Sequence, residues 1–250
     1  MKWGTIYICI VFALMLAGCQ RELNFADNGL TDGITYRLVL EHTAGAQPLQ
    51  LNVANTNTLN ETYTVSTLRY YISGIELRGD QASGDKEYHL IDLSSPATAT
   101  ILSKAAKGNY RSIRFLLGVD SVRNVSGAQT GALDPANGMF WTWNTGYIMW
   151  KLEGSSPQSN EPNQRITYHI GGFASPYVTQ KECVLPFPEN IRLETNNTVE
   201  ILIRCDVNGF FQKRHQLPIA GNAVCTAPGQ LAAQYADNYQ NIFQVTSVRQ

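Results

Sequence analysis

Apolar side chains recur with a period of two along Tyr63-Thr-Val-Ser-Thr-Leu-Arg-Tyr-Tyr-Ile-Ser-Gly-Ile-Glu-Leu77, which predicts a long β-strand. They occupy positions 63 and 65, then 68, 70 and 72, then 75 and 77. Each change of phase would turn the apolar set to the other face of a regular strand. We therefore expect β-bulges or a bend within this strand.

The same period recurs along most of the chain. A strand is predicted from Ile34 to Leu40, and its inward face continues to His42. Gly, Pro, Asn and Ser clusters separate further predicted strands at residues 88–93, 110–118, 165–173, 199–207 and 243–248, and a helix is predicted at 228–241. Many short strands with turn-rich connections predict an all-β fold, an antiparallel β-sandwich of two packed sheets with a short C-terminal helix.

The N-terminus has the features of a bacterial lipoprotein signal. Lys2 precedes an apolar run from about residue 6 to 16, and Leu16-Ala17-Gly18-Cys19 matches the box before a lipidated cysteine. We expect residues 1–18 to be the signal, 19–32 a tether, and 33–250 a single domain. Because no Asp follows Cys19, the predicted location is the outer membrane, on its periplasmic or outer surface. The alternative is an ordinary signal that leaves Cys19 free.

Charge and motif content argue against nucleic-acid binding and catalysis, and the cysteine content raises the question of a disulfide. Acidic and basic residues nearly balance, and no run of Lys or Arg indicates nucleic-acid binding. No nucleophile elbow, phosphate-binding glycine loop or His-Glu metal motif indicates an enzyme. Three cysteines remain after Cys19, and an oxidising compartment permits one disulfide. Because Cys205 lies on an apolar alternation, we favour the pair Cys183 and Cys225.

The three tryptophans and two methionines that follow the signal all lie between Gly138 and Trp150. A three-residue turn at 144–146 would form a hairpin in which Trp141 faces Met149. One face would then carry Met139, Trp141, Trp143, Tyr147 and Met149. Such a set either builds a core or prepares a surface for a ligand.

This stretch resembles the signature of the MbnP-like copper-binding family, in the form found in Bacteroidota lipoproteins. The resemblance is carried by Gly118-Val119-Asp120, residues 131–147 with their Met-x-Trp-x-Trp core, Tyr70-Tyr71-Ile72-Ser73, residues 88–92 and Tyr168-His169-Ile170-Gly171-Gly172. It implies an exported β-sandwich that holds copper(I) through histidine nitrogens beside a tryptophan. It also implies a partner, a di-haem peroxidase-like enzyme of the MbnH type, that oxidises this tryptophan to kynurenine.

The resemblance implies His169 and His42 as copper ligands, and Met149 and Met139 are soft donors that would complete the set. Trp143 and Trp141 fall on the paired tryptophans of the family, and either is a candidate for oxidation. The strand parity of His169 also fits a residue that faces solvent. Two other functions stay open: a glycan-binding surface built from Trp141, Trp143 and Tyr147, and a purely structural surface protein. Exposed tryptophans would favour the glycan surface, whereas enclosed ones beside histidine would favour copper.

Overall fold

The computed structural model describes residues 33–127, 129–141, 146–195 and 197–250, which form two packed, mostly antiparallel sheets. The strands in this part of the chain are β1 (Ile34–Ala44), β2 (Gln47–Pro48), β3 (Asn55–Thr56), β4 (Thr62–Gly79), β5 (Ala82–Gly84), β6 (Tyr88–Asp92), β7 (Thr100–Ala105), β8 (Gly108–Leu117), β9 (Phe140–Trp141), β10 (Gly146–Ser155), β11 (Arg165–Gly171), β12 (Lys181–Leu193), β13 (Glu200–Asp206), β14 (Val224–Cys225) and β15 (Phe243–Arg249). The helices are α1 (Ser121–Asn124), α2 (Asn208–Phe211) and α3 (Gln230–Tyr239).

The smaller sheet has the order β15-β13-β1-β2, with β7 also paired to β1. The larger, ten-stranded sheet has the order β12-β8-β4-β10-β11-β14, with β3, β5 and β6 on β4 and β9 on β10. The predicted all-β sandwich is confirmed. It is mixed rather than purely antiparallel, because β1 pairs in parallel with β13 and β11 with β14.

Strand β4 contains the predicted bulges. Its pairing with β8 shifts register between Ser73 and Glu76 and again between Arg78 and Gly79. Gly74 has a φ of 56°, a conformation that glycine adopts without strain. The pairing of β4 with β10 also shifts register between Val65 and Thr67, where the first phase change of the sequence falls. The shifts at the two phase changes keep Tyr63, Tyr70 and the other apolar residues of the strand buried.

Sequence periodicity missed two of the longer strands, β7 and β12, and the short strands β2, β3, β5 and β14. In β12 the buried residues Cys183, Leu185 and Phe187 alternate with exposed positions, but prolines at 186 and 188 disguise the pattern. The predicted C-terminal helix is confirmed as α3, which covers one end of the core with Tyr235 and Tyr239.

The predicted disulfide between Cys183 and Cys225 is wrong. Both are free, buried thiols, as is Cys205. Cys183 lies on β12 and Cys225 on β14, the two end strands of the ten-stranded path, so four other strands separate them. Each cysteine instead packs as a small apolar side chain in the core.

The predicted signal, the tether and Cys19 lie outside the described residues. Within the described ranges, no helix has both the length and the apolar character needed to cross a membrane.

Candidate functional site

The hairpin of β9 and β10 presents the methionine- and tryptophan-rich segment. Trp141 pairs with Gly146, Phe140 with Tyr147, and the Ile148 amide donates to the Met139 carbonyl at 2.8 Å. The predicted register, with Trp141 opposite Met149, is therefore wrong. Gly146 is the first residue of β10 rather than part of a three-residue turn. Trp143 and Asn144 lie outside the described residues.

A second apolar cluster forms beneath this hairpin, separate from the core between the sheets. It contains Tyr71, Val119, Leu133, Met139, Trp141, Tyr147, Ile148 and Met149. The Val119 amide donates to the Met149 Sδ at 3.2 Å, and the Tyr147 hydroxyl donates to the Leu133 carbonyl at 2.7 Å. Trp150, next along the strand, belongs to the main core. The hairpin residues therefore build a packed core of their own.

Trp141 lies directly on strand β11. A Cβ atom at position 171 would come within 2.7 Å of the Trp141 ring, so only glycine fits there. The side chain is 6% exposed. The outer face of the ten-stranded sheet, the face turned away from the five-stranded sheet, thus carries an enclosed tryptophan.

His169 lies on the same outer face, two residues before Gly171. It pairs with Lys151 across the strands, and its Nε2 lies 2.6 Å from the Glu153 Oε1. The hydrogen bond to His169, helped by Lys151, lowers the pKa of Glu153 to about 2. Residues two apart along a strand are about 7 Å apart, so His169 and the ring of Trp141 are neighbours on this face.

His42 lies on the opposite side of the ten-stranded sheet, between the two sheets. Its Nε2 is 2.9 Å from the Tyr70 hydroxyl, and burial lowers the pKa of its imidazole to about 4. Tyr70 aligns with Trp150, which aligns with Ile170, and all three face the main core. Because the sheet separates His42 from His169, the structure does not bring the two predicted ligands together.

The remaining histidines are also apart from this face. His215 bonds through Nε2 to the Asp237 Oδ2 at 3.0 Å. Burial lowers the pKa of His89 on β6. Within the described ranges, no three His, Cys, Asp or Glu side chains are grouped to hold a metal ion. Sequence reasoning missed Glu153 and Tyr70, the partners of the two candidate histidines. The first contact depends on the register of β10 and β11, and the second on how the two sheets pack together.

Comparison with known proteins agrees with this architecture. The model of the MbnP family matches residues 34–227, which is most of the chain. The chain belongs to the MbnP family. The solved structure of MbnP from Methylosinus trichosporium matches 86% of this chain and 97% of its own, with a TM-score of 0.52 and 15% sequence identity. At that identity the likeness shows a shared MbnP fold. No curated protein matches the sequence.

Proposed function

We propose that this MbnP-family protein is exported, lipid-anchored and binds copper(I) on the outer face of its ten-stranded sheet. His169 is the imidazole ligand that we assign, beside Trp141. The observation that carries the proposal is the glycine at position 171, which lets the Trp141 ring lie one strand repeat from His169. Neutral imidazole is a good ligand for copper, and family membership supports the metal.

The surroundings of His169 suit a ligand, but they supply only part of a site. Glu153 holds one ring nitrogen, as carboxylates commonly do for metal-bound histidine, and thereby directs Nδ1 toward a metal. Met149 and Met139 provide soft thioethers in the adjacent cluster, although the Met149 sulfur already accepts an amide. His42 is not part of the proposed site, because it faces the other side of the sheet.

Competition with a copper(I) chelator tests the assignment. His169→Ala should weaken binding at least tenfold, which corresponds to about 1.4 kcal/mol. His215→Ala is the matched control, because His215 is also hydrogen-bonded to a carboxylate and partly exposed, 30% against 20% for His169. His42→Gln should likewise leave affinity unchanged. Equal affinity of His169→Ala and the wild type would refute the site.

The second candidate is a purely structural role. The burial of Met139, Trp141 and Met149 in one cluster favours it, since these residues already have a packing function. The glycan-binding alternative loses support, because Trp141 is enclosed and a stacking surface needs an open ring. If the folded wild-type protein has no affinity for copper(I), the result would support the structural role.

The lipid anchor rests on the sequence around Cys19. We propose attachment to the outer membrane through this residue. Cys19→Ser should move the protein from the membrane to the soluble fraction and abolish incorporation of labelled fatty acid. A wild-type protein that takes up no fatty acid would contradict the anchor.

A further inference from the structure

A column of parallel aromatic rings runs through the main core. The Trp150 ring stacks on Tyr70 at a centroid distance of 4.6 Å and an interplanar angle of 20°. It also stacks with Tyr239 at 5.4 Å and with Phe210 at 6.0 Å. All four side chains are buried. Aromatic rings this close lie within the distance over which electrons transfer between side chains, so an electron vacancy on one ring can pass to the next.

Tyr70 differs in the partner of its hydroxyl from seven other tyrosines of the described ranges. Its partner is the His42 Nε2 at 2.9 Å, an atom that accepts a proton in the imidazole tautomer that carries its own proton on Nδ1. Tyr88, outside this column, meets the carboxylate of Asp120. Amide or carbonyl oxygens, which are far weaker bases, accept from the hydroxyls of Tyr63, Tyr71, Tyr110, Tyr147, Tyr235 and Tyr239. The column of rings therefore ends at a tyrosine that has a built-in proton acceptor.

We propose that Trp150, Tyr70 and His42 form a redox relay that holds one oxidising equivalent as a neutral radical on Tyr70. A one-electron oxidant outside the core, of the class of high-valent haem iron, takes one electron from Tyr70 by way of Trp150 and is itself reduced by one electron. The O–H bond of Tyr70 breaks, and an N–H bond forms on the Nε2 of His42. The products are a tyrosyl radical and an imidazolium ion. Return of one electron and of the same proton restores both residues.

Burial makes the histidine necessary. Tyr70 is fully enclosed, and desolvation raises the pKa of its hydroxyl well above the usual value, so the phenol cannot release its proton to water. An oxidised phenol is a far stronger acid than the phenol itself and protonates even a weak base in contact with it. Desolvation also keeps His42 neutral at physiological pH. The relay uses the neutral tautomer with its proton on Nδ1, in which Nε2 can accept the proton of Tyr70.

The relay lies next to the second apolar cluster, the one beneath the β9–β10 hairpin, but it requires no metal. Met149 packs in the cluster beneath Trp141, and Trp150, the next residue of β10, packs in the main core. An electron vacancy formed near Trp141 is therefore separated from the stacked rings by the thickness of one strand, β10.

Flash-quench oxidation of the full mature chain carrying Cys19→Ser tests the relay. Photogenerated tris(bipyridine)ruthenium(III) serves as the oxidant, and electron paramagnetic resonance of frozen samples detects the radical. We expect a tyrosyl signal that falls at least tenfold in Tyr70→Phe and at least fivefold in His42→Gln. Tyr63→Phe is the matched control and should leave the signal unchanged, because this equally buried phenol donates to the Asn208 side-chain oxygen.

A second measurement needs no variant of the relay itself. In wild-type chain grown with ¹⁵N-histidine, pulsed resonance should detect coupling between the tyrosyl radical and an imidazole nitrogen. Cys205→Ala should preserve the signal, although this thiol lies beside His42 on the neighbouring strand. A tyrosyl signal that survives Tyr70→Phe, or a radical without imidazole coupling, would overturn the relay.

Discussion

The ring of Trp141 rests on the backbone of Gly171, at a separation that leaves no room for a side chain at position 171. This contact joins the β9–β10 hairpin to β11 and brings the tryptophan next to His169. Gly171 of the Tyr168–Gly172 motif and Trp141 of the Met-x-Trp-x-Trp core thus pack against each other.

Replacing Gly171 should therefore displace Trp141. We expect Gly171→Ala to lower the free energy of unfolding by about 1–3 kcal/mol, because the new methyl group would overlap both the indole ring and the Tyr147 carbonyl. Denaturant titration measures the change. Gly146→Ala is the control, since its nearest neighbour outside the adjacent residues would be 3.5 Å away, an ordinary contact. Equal stability of the two variants would show that Trp141 does not need the glycine.

The carboxylate of Glu153 should act on copper through His169. We expect Glu153→Gln to lower copper(I) affinity about tenfold, since loss of the carboxylate that orients a ligating histidine typically costs 10- to 100-fold. Glu200→Gln removes a comparable carboxylate, paired with Arg249 on the five-stranded sheet, and should have no effect. Chelator competition compares the two variants. Unchanged affinity in Glu153→Gln would show that the hydrogen bond between Glu153 and His169 plays no part in copper binding.

The buried imidazole of His42 should make stability depend on pH. Its pKa is about 4 in the folded chain against 6.5 in the unfolded chain, so the unfolded state binds the extra proton between these values. Stability should be complete above pH 6.5 and fall as the pH drops toward 4, by at most about 3 kcal/mol. Unfolding titrations of wild type and His42→Gln over this range provide the test. In His42→Gln the free energy of unfolding should still fall with decreasing pH, but less steeply, because the pKa of His89 is also lowered by burial. Parallel curves for the two proteins would contradict the burial of a neutral His42.

The sequence was sufficient to predict the sandwich because its strands obey a local rule. A period of two identified β1, β4, β6, β8, β11, β13 and β15, and even the phase changes of β4 correctly indicated its bulges. Periodicity failed where side chains departed from the rule, as with the prolines of β12. Which strands would pair in parallel depends on how distant segments meet, and a local pattern contains no such information.

The candidate site was harder to predict for the same reason. Parity along β11 correctly allowed His169 to face outward with Gly171, and the packing of Met139, Trp141, Tyr147 and Met149 in one cluster was anticipated. The assignment of His42 to the same site failed. The inward face of β1 points into the space between the two sheets, whereas His169 lies on the other side of the ten-stranded sheet. The hairpin register also shifted, since Gly146 pairs in β10 instead of forming the turn.

The three cysteines of the domain should behave as inert thiols. Burial raises the pKa of Cys225 to about 11 and that of Cys183 and Cys205 still further. Because the thiolate is the reactive form, a disulfide reagent should leave all three unmodified in the native Cys19→Ser chain and modify all three in denaturant. Reductant should not change the melting temperature. A melting temperature that falls on reduction would reveal a disulfide.

The last prediction concerns oxidation of this protein by a partner. We expect a di-haem peroxidase-like enzyme of the native host to convert Trp141 or Trp143 to kynurenine. In this reaction one dioxygen or two peroxide molecules add two oxygen atoms and open the five-membered ring to give N-formylkynurenine. Water then hydrolyses the formyl amide, so that one carbon leaves as formate and kynurenine remains. If Trp141 is the modified residue, the new carbonyl and aniline nitrogen would be additional donors beside His169. Tandem mass spectrometry of native protein should find one modified tryptophan, and recombinant protein made without the haem enzyme should have none. Trp150 is the internal control, since its ring is stacked in the main core and should stay intact. Unmodified Trp141 and Trp143 in a strain that expresses the haem enzyme would show that this protein does not undergo the modification.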